Sequence, residues 1–416
     1  MKVLLLAIGS YGDILPLAGL AREFLNRGHQ VTLFTNPYFA KVIQHTGVEF
    51  FPVGTTEEYL TFINNSKLWH PYQGAKVVLE HVGPALLRET YHAMLPHIIH
   101  GSTILISSCL GWAARLLQET QGIPHVSAYY APSNFFSGHA PPQGPNFHFP
   151  KWLPPWVTRS CWTMMNTAFI DPLIKPAINS FRHELGLSPV SQILHGWGAS
   201  PDLVLGMFPN CFAKPQPDWP PNSVLTGFPL YDTVDDAVLP DTIQNFLDDY
   251  PNPIVCTPGS ANKHGRTFFQ ESLKACQVLK RPGIFLTRFK EQLPLLPPSI
   301  QHFSYAPLSS LLLQSSALLH HGGIGTCAQA LQAGIPQLIQ PLGFDQYDNA
   351  DRVEQLGIGR RIFPRDFNHS YIAHMLQDLL GSSHVGEQCR SISEQINATN
   401  GLSTAYETIE KYLIKP

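Results

Sequence analysis

Residues 318–337, LLHHGGIGTCAQALQAGIPQ, set two histidines and three glycines between an apolar run and a short helical pattern. ALLHH reads as a buried strand, GGIG as a turn bare enough for backbone N–H groups to reach a ligand, and TCAQALQA as a helix closed by Gly334. Free amides at a helix start, reinforced by the helix dipole, make an anion site. His321 can donate to a phosphate oxygen and Thr326 adds a hydroxyl, so the pattern suits a pyrophosphate. The same residues also read as a plain tight turn with two satisfied core histidines. A second candidate group is the carboxylate of Asp13, in SYGDILP, expected on the loop after the first strand, where α/β sheets open their ligand crevice. An Asp of ordinary pKa, about 4, is a weak base at neutral pH, so burial or a partner must adjust it. His139, in SGHAPP, is the candidate partner. The plainer reading of Asp13 is that it orients the start of the helix that carries Pro16.

Other nucleotide motifs fail on spacing. The turn after the first strand offers Gly9 and Gly12 but no G-x-G-x-x-G, and the second strand ends in Asn36 rather than an acidic residue for a ribose. That argues against a nicotinamide dehydrogenase. GSANKHGRT, Gly259 to Thr267, spaces its glycines one residue too far for a P-loop and has Arg266 where Lys is required. No D-x-D pair occurs in the chain, so no carboxylate pair of that kind is present to hold a divalent metal, and no metal site is expected.

The elements that must position these groups follow from the apolar pattern. KVLLLAI is a continuous apolar run, GSYGD a turn, LPLAGLAREFLNRG a helix pattern ending at Gly28, and HQVTLFTN the next strand. Continuous rather than alternating strands joined through helices imply a parallel sheet covered on both faces. The same grammar returns near residue 253 with PIVCTPGS, GIFLT, ALLHHGG and QLIQPLG. Between the halves, residues 210–241 are rich in Pro, Asp and Asn without periodicity, as an interdomain connection is. The expectation is two α/β domains, 1–228 and 229–395, followed by a terminal segment, 396–416. That segment puts Leu402, Ala405, Tyr406, Ile409, Tyr412 and Leu413 at helical spacing.

With 416 residues, 44% hydrophobic and 14% charged, the chain is globular and large enough for two cores. A net charge of -3 without any basic block argues against a nucleic-acid partner. The first apolar run stops at Gly9, short of a signal-peptide core, and reads as a buried strand. No apolar run reaches the length of a membrane span. Seven scattered cysteines without a C-x-x-C pair favour a reducing cytoplasm. The sequons at Asn64, Asn368 and Asn397 are then chance matches. From Tyr129 to Trp162, aromatics alternate with prolines without a regular period. This stretch reads either as an irregular loop covering the sheet or as an apolar ligand wall. Lys151, Trp152, Trp156 and Arg159 within it form a place for peripheral contact with a membrane interface.

Taken in order, AIGSYGDILPLAGLA, FPNCFAKPQPDWP, LTGFPLYD and YAPLSSLL, followed by HHGGIGTCAQALQAGIPQLIQPLGFDQYDNADRV, resemble the family 1 glycosyltransferases of the GT-B fold. That group includes bacterial macrolide, glycopeptide and sterol glycosyltransferases, and the likeness is strongest to rhamnolipid-type rhamnosyltransferases. The resemblance covers nearly the whole chain. It implies two Rossmann-like parallel-sheet domains facing across a cleft, acceptor on the N-terminal side and donor on the C-terminal side, with the last helix crossing back to the first domain. Position by position, it implies that Tyr305 stacks on the nucleobase, Ala306 offers its backbone to the base edge, and His321 holds the pyrophosphate. Gly323, Gly325 and Thr326 match the helix-start donors, Asp345 and Gln346 the pair on the sugar hydroxyls, and Ser260 a hydroxyl near the phosphates. Gln329 stands where many relatives have a Glu on the ribose, and Leu308 replaces a frequent Gln, which leaves UDP versus dTDP open. Gly12 joins the nucleotide-sugar-binding set.

The expected function is an inverting, metal-independent transfer of a glucose- or rhamnose-type hexose from a UDP- or dTDP-sugar to a hydroxyl of an apolar acceptor. The nucleotide sugar is a co-substrate, and no cofactor is expected. The rivals are a non-catalytic nucleotide-sugar-binding partner protein and a nucleotide-sugar epimerase on the same fold.

Overall fold

A computed structural model describes residues 1–70, 73–81, 83–145, 149–150, 152–231, 238–260 and 262–414. Lys151, in the expected membrane-facing stretch, lies outside them. The chain divides into two compact units, Met1–Tyr231 with Asn400–Pro416, and Asp232–Thr399.

The first unit is built on a parallel sheet of seven strands among the described residues: β1 (Lys2–Leu6), β2 (Gln30–Thr35), β3 (Glu49–Pro52), β4 (Thr103–Ser108), β5 (His125–Tyr129), β6 (Leu203–Gly206) and β7 (Ser223–Leu225). Their order is β3-β2-β1-β4-β5-β6-β7. The continuous apolar run of β1 is explained by its place: Val3 to Leu6 are fully buried, with Leu5 in register with Leu33 on one side and Ile106 on the other. The core on one face gathers Leu4, Leu6, Phe34, Leu105, Trp112 and Leu116. A parallel strand needs both faces covered, so apolar residues at successive positions are required rather than alternation.

The first helix is longer than its apolar pattern suggests, running Tyr11–Asn26 with Pro16 inside it. Asp13 therefore sits in the helix's first turn and not on the preceding loop. The cause is local: Ser10 and Asp13 stand three apart, and the carboxylate bonds back to the Ser10 backbone, which starts the helix earlier.

The second unit holds six parallel strands among the described residues: β8 (Ile254–Thr257), β9 (Gly283–Leu286), β10 (Ile300–Phe303), β11 (Ala317–His320), β12 (Gln337–Ile339) and β13 (Gly359–Arg361). The order is β10-β9-β8-β11-β12-β13. Val255, Ile284, Leu318, Ala330 and Leu311 build a core on one face. In both sheets the strand order reverses direction once, between β1 and β4 and between β8 and β11. Ligands of open α/β sheets bind outside the carboxyl ends at that switch.

The terminal helix Gly401–Ile409 belongs to the first unit. Asn400 caps it by accepting the Leu402 and Ser403 N–H groups. It packs on the Tyr11–Asn26 helix through Tyr406, whose ring lies 4.8 Å from that of Phe24 and under the Arg27 guanidinium, and through the Ser403 hydroxyl bond to Glu23.

Candidate active site

Each unit places its candidate groups at the carboxyl edge of its own sheet. In the first, the chain leaves β1 through Gly9 and Ser10, and Asp13 folds its carboxylate back over that turn. Its Oδ2 accepts the Ser10 N–H at 2.8 Å and the Ser10 hydroxyl at 3.1 Å. Both bonds fall on Oδ2. Burial raises the Asp13 pKa from 3.8 to about 6, against the pull of the two Ser10 donors. The adjacent strand end contributes Ser108, whose hydroxyl accepts the Ile8 N–H across the switch point.

Gly9 makes this arrangement possible. Its φ is +138°, and a Cβ there would collide with the Asp13 carboxylate. Gly9→Ala is therefore expected to push the carboxylate off its seat. A misplacement on the 1 Å scale costs roughly 10²-fold in turnover. Steady-state kinetics with nucleotide affinity as the control checks it, since that affinity should not change.

Sequence reasoning missed Tyr130, which follows β5. Its hydroxyl donates to the Asp13 backbone carbonyl at 3.0 Å, and burial together with Asp13 pushes its own pKa far above 10. His139 is exposed, and no hydrogen bond joins it to Asp13 among the described residues. Its loop is tied elsewhere: the Ser137 hydroxyl and the Gly138 N–H both donate to the Asp218 carboxylate at 2.6 Å. Gly12 is exposed one residue before Asp13.

In the second unit, β11 ends at His320, and His321, Gly322 and Gly323 lead into the helix Ile324–Ala333, with Gly323 as its N-cap. The first N–H groups of a helix have no intrahelical acceptor. The His321 ring packs against two glycines: Cβ positions built on Gly259 and Gly323 would lie 3.1 and 2.6 Å from its Nε2. Gly259 follows β8, so histidine and glycine meet at the second sheet's switch point. Among the described residues His321 Nδ1 is buried without a hydrogen-bond partner, and burial lowers the imidazole pKa to about 4, so the ring is neutral at physiological pH. A buried polar atom without a partner calls for an explanation, and a ligand oxygen at the helix start is one. Gln329, one helical turn beyond Thr326, likewise has its Oε1 buried and unpartnered. Gly325 is exposed, with open space around it.

The loop after β12 arrives beside this turn. Asp345 N-caps the helix Gln346–Gln355 and accepts the Asn349 side-chain N–H at 2.7 Å, while the same Asn349 amide donates to the Gly322 carbonyl at 2.9 Å. Gln346 is buried, and its Oε1 accepts the Leu342 and Gly343 N–H groups, which holds the loop closed and leaves its amide nitrogen to donate. Ser260 is exposed next to Gly259. Tyr305 is 52% exposed after β10, while Ala306 is buried beside it. The structure thus joins His321, Gly323, Asp345 and Gln346 into one constellation, with Ser260 after the adjacent strand β8 and Tyr305 after β10, three strands from β11. Among the described residues no group of three or more His, Cys, Asp or Glu is arranged to hold a metal ion.

Two family models match the chain. The Glycosyltransferase family 28 N-terminal domain matches residues 3–108, and the C-terminal domain of erythromycin biosynthesis protein CIII-like proteins matches residues 284–403. Sterol 3-beta-glucosyltransferase of Leptosphaeria maculans is 27% identical over 439 residues, covering 99% of this chain and 29% of that protein. O-mycaminosyltylonolide 6-deoxyallosyltransferase of Streptomyces fradiae is 23% identical, with 99% of this chain and 97% of that one covered. A spinosyn rhamnosyltransferase solved with thymidine diphosphate superimposes with a TM-score of 0.69 at 17% identity, covering 99% of this chain and 100% of that one. The matched models, the relatives and the solved structures together support a family 1 glycosyltransferase of GT-B fold. It spans less than a third of the length of the fungal sterol glucosyltransferase it matches.

Of the two matched segments, the first carries Asp13 and the second carries Tyr305, His321, Asp345 and Gln346. The aromatic stretch from Tyr129 to Trp162 lies outside both. There Phe136, Phe149 and Trp162 cluster, with His195 set among them: the Trp162 ring is 5.5 Å from Phe136 and 5.7 Å from Phe149. Burial lowers the His195 pKa to about 3. Trp152 and Trp156 are 79% and 71% exposed. Arg159 is exposed too, 3.9 Å from Asp218. No helix among the described residues is long and apolar enough to cross a membrane.

Proposed function

We propose that this chain is an inverting, metal-independent glycosyltransferase that moves a glucose- or rhamnose-type hexose from a UDP- or dTDP-sugar to a hydroxyl of an apolar acceptor. The observation that carries the reading is the orphaned, neutral His321 imidazole at a glycine-lined helix start on the switch point of the second sheet. In the reaction the acceptor oxygen bonds to the anomeric carbon as the bond from that carbon to the diphosphate oxygen breaks, with its electron pair leaving on the diphosphate. His321 and the amides of Ile324, Gly325 and Thr326 stabilise that growing charge without a metal ion. Asp345 and the Gln346 amide orient the sugar hydroxyls, Gln329 Oε1 accepts from the ribose, and Tyr305 stacks on the base. Asp13 takes the acceptor proton. One displacement inverts the anomeric centre.

Thymidine diphosphate in the structurally similar spinosyn enzyme supports the dTDP donor, and the sterol and macrolide relatives support a rigid apolar alcohol as acceptor. The Phe136–Phe149–Trp162 cluster supports an apolar acceptor wall. Trp152 and Trp156 offer a peripheral membrane contact, on the cytoplasmic face if the cysteines remain reduced as they are here.

The experiment is an assay with UDP-glucose, dTDP-glucose and dTDP-rhamnose, each with a sterol and a macrolide aglycone, in the presence of EDTA. The reading expects a glycoside of inverted anomeric configuration and an unchanged rate on chelation. No product from any pairing, or donor epimerised without acceptor, contradicts it.

The raised Asp13 pKa gives a pH dependence. The base acts when ionised, so kcat/KM should climb with pH through about 6 and level off above it. Removing the Ser10 hydroxyl withdraws one donor from the ionised form, so Ser10→Ala should move this acid limb upward. A limb that stays put under Ser10→Ala assigns the titration to another group.

A further inference from the structure

The residue between His321 and Gly323 sets where both of them point. Gly322 has φ +90°, and the space a Cβ would need is filled by Ile339 and the Gln346 carbonyl. A glycine has more backbone freedom than any other residue, so something must hold this peptide still. Its N–H donates to His320 Nδ1 at 3.1 Å, and its carbonyl accepts the Asn349 side-chain N–H at 2.9 Å. Because Nδ1 accepts, the His320 ring carries its proton on Nε2 and donates it to Gln337 Oε1, 3.0 Å away. His320, Gln337 and Asn349 are all fully buried.

We propose that His320 and Asn349 are positioning residues that grip the Gly322 peptide from its two ends, and so preset the helix-start cradle for the nucleoside diphosphate. The inference deepens the donor-site reading above and rests on it. Neither side chain need touch the donor: His320 faces into the sheet, and Asn349 spends its amide on Gly322 and Asp345. Because one Asn349 amide serves both, the sugar-binding carboxylate and the phosphate turn are held by a single hydrogen-bond chain. Burial lowers the His320 pKa to about 3, which keeps Nδ1 an acceptor across the physiological range.

Two substitutions separate gripping from mere core filling. In His320→Asn the side-chain oxygen falls near the place of Nδ1 and can still accept the Gly322 N–H. In His320→Gln the polar end falls near Nε2 and cannot. Dissociation constants for dTDP and UDP are measured by calorimetry for both variants, the wild type and His321→Ala, with thermal midpoints alongside. His320→Asn should bind within about threefold of wild type, whereas His320→Gln should lose roughly tenfold, the worth of one buried hydrogen bond. Equal affinities in the two variants overturn the inference while His321→Ala still weakens binding. If the wild type binds neither nucleotide, or His321→Ala binds as the wild type does, the donor-site reading itself fails. Should the His320 variants not fold, Asn349→Ala releases the carbonyl end. A roughly tenfold loss then supports the grip, and unchanged affinity overturns it.

Discussion

Asp13→Asn should lower turnover by about 10²- to 10⁴-fold, the usual contribution of a positioned general base, while leaving nucleotide affinity where it was. Asn is the informative replacement because its side-chain oxygen still accepts the Ser10 N–H, the bond that opens the Tyr11–Asn26 helix. The helix start therefore survives, the thermal midpoint holds within a few degrees, and what disappears is the proton acceptor. Paired measurement of kcat and melting temperature separates the two roles the residue combines. If full activity persists in Asp13→Asn, the carboxylate is only a cap. The helix position of Asp13 makes this contest real, since a carboxylate in the first turn is stabilising there whatever else it does.

His321→Ala should weaken binding of dTDP or UDP by roughly 10- to 150-fold, the range for a hydrogen bond to a charged group. Donor turnover should fall further, by about 10²- to 10³-fold, as for loss of one donor to a developing anion. The side chain stands between Gly259 and Gly323. His321→Gln, which retains a donor, should recover part of the loss. Titration calorimetry and donor-hydrolysis rates read the two effects separately, and an unaltered dissociation constant would move the diphosphate away from this turn.

Much of this fold was legible because parallel strands need apolar residues on both faces, and KVLLLAI, PIVCT and ALLHH show that without ambiguity. The candidate donor residues stood out, as candidates, for a related reason: turns at the carboxyl ends of such strands are where open α/β sheets bind their ligands. What escaped the sequence was contact across long separations. Tyr130 meets the Asp13 backbone from 117 positions away, and Asn349 reaches Gly322 across 27. The start of the first helix escaped for the opposite reason. The Ser10–Asp13 pair is a local signal, but Tyr11 and Gly12 between them look like a turn. His139 stands in SGHAPP, and the structure ties that loop to Asp218 rather than to Asp13. His320 and His321 stand side by side in the sequence with nothing to tell them apart, and the partners of the two His320 ring nitrogens distinguish them.

The account stands most directly on where a nucleoside diphosphate binds. A crystal structure of the protein soaked with dTDP should show the β-phosphate within hydrogen-bonding distance of the His321 ring and the amides of Ile324, Gly325 and Thr326. Diphosphate density elsewhere, with those amides and His321 untouched, contradicts it.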